Sequence, residues 1–335
     1  MKEYNSNCTN LSSDIYLSII CPMYNEGMSI QSNLINLIQV LEKNYKDDFE
    51  IILVNDGSTD NALEEATKIV ERDSRLRLIS YKKNRGRGYA LRQGFGITRG
   101  DIIVTTESDL SWGESIIKDM VDKLESEELD MVVASPHTKG GKLVNVPRFR
   151  VLLTRFGNFL LRFLMPGNLT MYTGMTRAYR RPVLDALDLE EDSKEIHLEI
   201  IAKASALGFS IGEVPATLAW EKGKRRKRGK LSFNAKKLIL SHLLFGFAEF
   251  PLFLFGTIAG ILFVIAFVAG IYMLVLSLSG ISQAGRPLML ITILFILAAI
   301  QILLFSFMAH QIRDVKRHLV RLQGDIRKKT KQDGK

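Results

Sequence analysis

The sequence predicts an α/β protein: a mostly parallel sheet flanked by helices, followed by a C-terminal pair of membrane-spanning helices. Two observations carry this. Short β-branched apolar runs alternate with helical patterns through the first two thirds of the 335 residues, the order that builds a parallel sheet with helices on both faces. Residues 251–276 and 288–309 are then nearly free of charge, and each is long enough to cross the ~30 Å hydrocarbon core as a helix. Both lie far from the N-terminus, unlike a signal peptide.

The elements follow in order. Strands are expected at about 16–21, 50–54, 76–80, 102–106 and 131–134, and helices at about 28–43, 61–72, 88–97 and 114–125. After residue 135 the pattern changes. Residues 148–164 interleave Phe149, Leu152, Phe156, Phe159 and Phe163 with Arg148, Arg155 and Arg162, an amphipathic helix of the membrane-surface type. A strand near 172–176, a helix at about 195–207 and a strand at 211–214 follow. The expected division is a polar leader at 1–13, a sheet domain at 14–235, a juxtamembrane helix at 236–250, two spans within 251–310 and a basic tail at 311–335.

The net charge is +9, and its placement matters more than its sum. Lys222, Lys224, Arg225, Arg226, Lys227, Arg228 and Lys230 precede the first span, and Arg313, Lys316, Arg317 and Arg321 follow the second. The loop between holds only Arg286. By the positive-inside rule both ends are cytoplasmic, which places the sheet domain on the cytoplasmic face of the cell membrane. The basic runs read as topology signals that meet anionic lipid headgroups. They lack the zinc spacing or aromatic-studded motifs of nucleic-acid modules, so no nucleic-acid partner is expected. Cys8 in the leader and Cys21 in a strand fit a reducing compartment without a disulfide.

In such folds ligands bind at the carboxyl ends of the strands, and three polar segments fall there. Asp56 heads Asp-Gly-Ser-Thr-Asp after the second strand and can accept hydrogen bonds from ribose or base. In Glu107-Ser108-Asp109, after the fourth strand, two carboxylates spaced by one residue can hold a divalent cation with phosphates as further ligands. Each segment also has a plain reading, as a helix cap or a solvated turn. Asn84-Arg85-Gly86-Arg87-Gly88 is a basic, glycine-rich turn whose N–H groups and arginines suit a diphosphate.

Taken in order, Pro22-Met23-Tyr24-Asn25-Glu26, Val54 through Asp60, Asn84 through Gly94 and Glu107-Ser108-Asp109-Leu110 resemble the successive motifs of family 2 inverting glycosyltransferases. Arg148, Arg155, Asn158, Thr173 through Arg181, Glu199, Gly208 and Glu213-Val214-Pro215 narrow the resemblance to the dolichol-phosphate mannose synthase and polyprenyl-phosphate glycosyltransferase group. It covers about residues 16–310. It implies a Rossmann-like GT-A fold and transfer of a sugar from a GDP- or UDP-sugar to a polyprenyl phosphate. It also implies a Mg²⁺ or Mn²⁺ ion, held by Glu107 and Asp109.

On this resemblance Pro22, Tyr24, Asn25, Glu26 and Asp56 belong to nucleotide binding; Arg85 of the basic turn and Ser108 are candidates for the same site. Arg226 and Lys230 belong to a basic loop that closes over the nucleotide. Arg148 and Arg177 are assigned to the acceptor phosphate, and Glu199 is a further catalytic candidate. Four positions depart from the group: Glu107 and Asn55 stand where Asp is usual, Ala134-Ser135-Pro136-His137 lacks an Arg, and Met171 replaces an Asp. They leave room for another lipid or glycan acceptor, or for a non-catalytic protein that binds a lipid or partner. A processive polysaccharide synthase fits less well, because the Gln-x-x-Arg-Trp motif is absent. Gly256 and Gly260 have helix-packing spacing, which admits a homo-oligomer.

Overall fold

The computed structural model of the chain describes residues 15–109, 111–113, 115–219, 251–280 and 287–333. The leader with Cys8, the basic run 222–230 with Arg226 and Lys230, the expected helix at 236–250 and Arg286 lie outside the described residues. The described chain divides into two compact units. One comprises residues 15–153, 169–200 and 208–219, the other 154–168, 201–207, 251–280 and 287–333.

The first unit is built on a seven-stranded sheet of order β3-β2-β1-β4-β7-β5-β8. Its strands are β1 (Leu17–Met23), β2 (Phe49–Asp56), β3 (Leu76–Tyr81), β4 (Ile102–Thr105), β5 (Met131–Ser135), β7 (Arg177–Arg180) and β8 (Ile211–Pro215). β1 pairs in parallel with both neighbours, Ile19 opposite Ile51 of β2 and Val104 of β4. Every residue of β2 is buried, as expected of a parallel strand covered on both faces. Helix α1 (Ile30–Tyr45) covers the sheet through Ile30, Leu34, Leu37 and Leu41, one stripe at helical spacing. Helices α2 (Ala62–Val70), α3 (Arg87–Phe95) and α4 (Ile116–Ser126) complete the alternation. A separate parallel pair joins β6 (Lys142–Val144) to β9 (Thr217–Ala219).

The strand expected at 172–176 is a correction. That stretch is irregular, and the strand begins only at Arg177. The reason is local: the carbonyls of Tyr172 and Gly174 turn inward to the Arg177 guanidinium and so are lost to a ladder. β7 then runs antiparallel between β4 and β5 and leads into α6 (Arg181–Ala186). Helix α5 (Arg148–Leu164) occupies the expected residues and exposes Leu152 and Phe159. Helix α7 spans Ile196–Ala206.

The second unit contains α8 (Pro251–Leu278) and α9 (Pro287–Asp333). Phe255–Leu278 and Pro287–Ile312 are each long and apolar enough to span a membrane. The two helices meet along a seam that repeats every seven residues. Ala259 and Ala266 of α8, and Thr292, Ala299 and Ser306 of α9, are the buried positions. Such small residues let antiparallel backbones approach closely. Phe255 packs edge-on against Phe305 at 5.3 Å. A Cβ at Gly256 or Gly260 would meet nothing within 4 Å, so neither glycine serves this seam. Beyond the apolar stretch α9 continues without a break through the basic tail.

Candidate active site

At the carboxyl edge of the sheet one hydrogen-bonded belt joins the four motifs. Ser108 donates its Oγ–H to Glu26 Oε2 at 2.9 Å, tying the loop after β4 to the loop after β1. Asn25, held at φ 57°, donates its N–H to Ser58 Oγ at 3.0 Å and accepts the Thr59 N–H at 2.8 Å. These bonds fix the β1 loop to the β2 loop. Asp60 adds a second tie by accepting the Gly27 N–H at 2.9 Å. Asn55 uses both amide functions, accepting the Ser58 N–H and donating to Ser80 Oγ. The usual Asp could not donate.

Asp56 closes the belt. It is 5% exposed and accepts the N–H groups of Arg85 at 2.7 Å and Gly86 at 3.0 Å. Gly57 must be glycine: its φ is +66°, and a Cβ would lie 2.5 Å from the Asn84 nitrogen. This corrects the expectation for the glycine-rich turn, because two of its N–H groups are spent on Asp56. Gly86 and Gly88 also face the backbone of residues 191–193, where a Cβ would meet carbonyl oxygens of Asp192 and Glu191 at 2.5 and 2.3 Å. The turn is therefore a packing surface. The exposed Arg85 guanidinium stacks 3.7 Å above the Tyr89 ring. Burial, helped by the neighbouring Asp56 carboxylate, pushes the Tyr81 hydroxyl above its ordinary range.

Glu107 and Asp109 differ in setting. Glu107 Oε2 accepts from Ser111 Oγ and Trp112 Nε1, each at 3.1 Å, and its Oε1 lies 4.0 Å from Arg87. Asp109 is exposed and accepts the Ser111 N–H at 3.0 Å. Burial, then the charges of Glu26, Asp109 and Glu107, push the nearby Cys21 thiol well up. Among the described residues no three His, Cys, Asp or Glu side chains converge as a metal site. The donor set fits a hard cation bound by two carboxylates, with its remaining positions left to phosphate oxygens. Pro22 is half-buried in β1 and Tyr24 is exposed beside it.

The other assignments part company with the sequence. Arg177 is fully buried, and its Nε, Nη1 and Nη2 donate to the carbonyls of Gly174, His197 and Tyr172 at 2.6–2.8 Å. Burial lowers its pKa from the ordinary arginine value. A guanidinium so enclosed holds the chain together and does not reach a lipid phosphate. Glu199 is also buried and accepts the N–H groups of Glu190 and Glu191, each at 3.0 Å. It orders the loop that packs on Gly86 and Gly88. The Arg148 side chain lies outside the described part.

Two features carry weight that the sequence reading did not assign. Both oxygens of Glu213 accept the Thr170 N–H, at 2.8 and 2.9 Å, and Oε1 also accepts the Met171 N–H at 2.9 Å. Ser135 and Thr170 hydroxyls meet at 2.7 Å, and Ser135 Oγ accepts the His137 N–H. Together they pin the 169–171 loop to the ends of β5 and β8. The only signal was the Glu-Val-Pro match. Trp112 was the second omission, and its place five residues after Glu107 is the one clue.

Residues 18–188 match the family described as glycosyl transferase family 2. Glycosyltransferase AglD of Haloferax volcanii is 28% identical over 210 residues, 62% of this chain and 33% of that protein. The chain thus spans only a third of that relative. The dodecaprenyl-phosphate galacturonate synthase of Rhizobium johnstonii is 27% identical over 303 residues, 88% of this chain and 87% of that protein. A glucosyl-3-phosphoglycerate synthase from Mycobacterium tuberculosis, solved with Mn²⁺, uridine-diphosphate and phosphoglyceric acid, superposes with a TM-score of 0.51 at 22% identity. It covers 69% of this chain and 78% of its own, and it shares the GT-A, Rossmann-like fold. With slightly over half of its length matched by the family model, the chain belongs to glycosyl transferase family 2.

Proposed function

We propose that this protein is a membrane-anchored, inverting glycosyltransferase that moves a sugar from a nucleotide-sugar to a polyprenyl phosphate. The observation that carries the reading is the belt from Ser108 through Glu26, Asn25 and Asp56 to Arg85, beside an exposed Asp109. It offers polar groups for a nucleoside and acids for a cation at one sheet edge. The Rhizobium relative, which this chain spans by 87%, is named for a polyprenyl-phosphate product.

The catalytic domain is residues 14–235, facing the cytoplasm, and α8 and α9 cross the cell membrane. Pro22, Tyr24, Asn25, Glu26, Asp56 and Ser108 shape the donor site, with Arg85 at its rim and Arg226 and Lys230 as contributors from the basic loop. Asp109 and Glu107 would hold a Mg²⁺ or Mn²⁺ ion together with the donor diphosphate of a UDP- or GDP-sugar. Bound there, the ion supplies neutralising charge to the leaving group. Arg148, at the start of α5, is the remaining arginine assigned to the acceptor phosphate.

The acceptor is already anionic at neutral pH, so no strong base is needed. One of its phosphate oxygens forms a bond to the anomeric carbon as the bond from that carbon to the donor phosphate breaks. The electron pair leaves with the nucleoside diphosphate, and the configuration inverts. The work left to the protein is alignment and charge stabilisation. Membranes containing the chain, incubated with a panel of labelled UDP- and GDP-sugars and polyprenyl phosphate, should transfer label to the lipid phase. No labelled lipid from any donor would overturn the reading.

A further inference from the structure

Within the apolar stretch of α9, the face turned away from α8 carries Leu294, Leu297, Gln301, Leu304 and Met308, all exposed, in alternating steps of three and four. Gln301 is the exception in chemistry. It lies 14 residues after Pro287 and 11 before Ile312 (301 − 287 and 312 − 301). It is thus about 21 and 16 Å from the two ends of the span, beyond the reach of its own side chain. A primary amide has two donors and an acceptor, and in hydrocarbon they require a protein partner. Among the described residues no hydrogen bond reaches the Gln301 side chain.

The same face continues past the apolar stretch. Ile312, Val315, Leu319 and Leu322 are 67, 59, 54 and 58% exposed. At about 100° per residue, Leu319 stands five whole turns above Gln301. Lipid can cover the first part of this stripe but not the second. The unbroken helix also prevents its outer part from lying on the membrane surface. A second copy of the chain meets every requirement. Inserted with the same topology, it brings its own Gln301 to the same depth, where two amides pair reciprocally. Its 312–322 segment then stands at the same height and in parallel. By heptad register positions 313, 317 and 321, all arginine, fall outside the seam, so they do not oppose one another in a parallel pair.

We infer that α9 is the subunit interface of a parallel homo-oligomer, with Gln301 pairing inside the membrane and Ile312–Leu322 forming a coiled-coil seam outside it. This rests on the membrane reading given above. The test uses the full chain in native membranes, with Cys8→Ser and Cys21→Ala as background and copper-phenanthroline as oxidant. Leu319→Cys should convert most of the chain to a disulfide-linked species of twice the mass, and Arg317→Cys, on the far side of the helix, should not. Adding Gln301→Leu should cut the Leu319→Cys yield several-fold, while Gln301→Asn should preserve it. Equal yields at both positions, no product at either, an adduct of another mass, or indifference to Gln301→Leu would each overturn the interface. Alkaline carbonate treatment of the same membranes separates the failures. A chain released by carbonate refutes the membrane reading and this inference with it, whereas a retained chain without stripe-specific cross-links refutes the interface alone.

Discussion

Asp56 accepts the backbone N–H of Arg85 at 2.7 Å, across 29 positions of sequence. A buried carboxylate at the end of β2 thereby sets the conformation of the turn that opens α3. The same side chain is assigned to the nucleotide, so its structural and binding duties are linked.

Asp56→Asn keeps the shape but replaces one acceptor oxygen with a donor aimed at an N–H. A hydrogen bond to a charged group contributes about 1.5–3 kcal/mol. We expect a loss of that order in stability, read as a lower Tm in detergent, together with at least a tenfold rise in donor KM. An unchanged donor KM would detach Asp56 from the nucleotide.

Arg177→Ala should destabilise by about 3 kcal/mol or more, since three buried carbonyls lose their donors and a cavity remains. Arg177→Lys should rescue little, because one ammonium cannot reproduce the fork. The folded fraction of either variant should show an unaltered KM for the lipid. A selective rise in lipid KM at parental Tm would return Arg177 to the acceptor site.

Glu213→Ala should free the 169–171 loop and cost about 1.5–3 kcal/mol, with Glu213→Gln falling between it and the parent. Hydrogen exchange should speed up at Thr170 and Met171 in particular. Parental protection at those amides in the Ala variant would contradict the latch.

Asp109→Asn preserves an acceptor for the Ser111 N–H, so folding should be unaffected. Transfer should fall by roughly a hundredfold, the scale on which loss of an electrostatic stabiliser acts, and Glu107→Asp should keep much of the activity. Full transfer by Asp109→Asn in the presence of a chelator would rule out the cation.

Glu191 titrates above the ordinary carboxyl value because of partial burial, and next because of the charges of Glu199, Glu195, Asp192 and Glu190. Its folded pKa is raised, so the folded state binds more protons than the unfolded state in the window just above about pH 4.3. Stability therefore falls as pH rises through that window. Glu191→Gln should raise Tm at neutral pH and flatten its decline from mildly acidic pH. A variant with the parental Tm–pH curve would show that the cluster is relaxed by solvent.

The sequence made the β3-β2-β1-β4 part of the sheet legible because local and tertiary preferences agree there. Ile51–Val54 and Ile19–Cys21 are apolar on both faces, and each ends in the polar turn that carries the site. The stretch leading into β7 was obscured because one side chain overrules the local pattern. Arg177 draws the Tyr172 and Gly174 carbonyls inward, and no periodicity announces that. Candidate residues were legible by type but not by direction. Asp56 and Arg177 both read as polar residues near strand ends, yet one accepts from a loop at the site and the other is sealed in the core. A carboxylate spent on backbone N–H groups, as in buried Glu199 and half-buried Glu213, resembles a catalytic acid in sequence, because both need an acid at a fixed place.

The unbroken course of α9 has a mechanical consequence. As the membrane span proposed above, α9 leaves the bilayer without a hinge and acts as a lever, its angle outside being its angle inside. From Ile312 to Asp333 the outer arm holds 21 further residues (333 − 312), about 31 Å in length. When a change in bilayer thickness tilts the span by about 10°, the tip swings by about 5 Å. Lipid composition would then register as a displacement of the basic end of the chain, with no residue needing to bind a specific lipid.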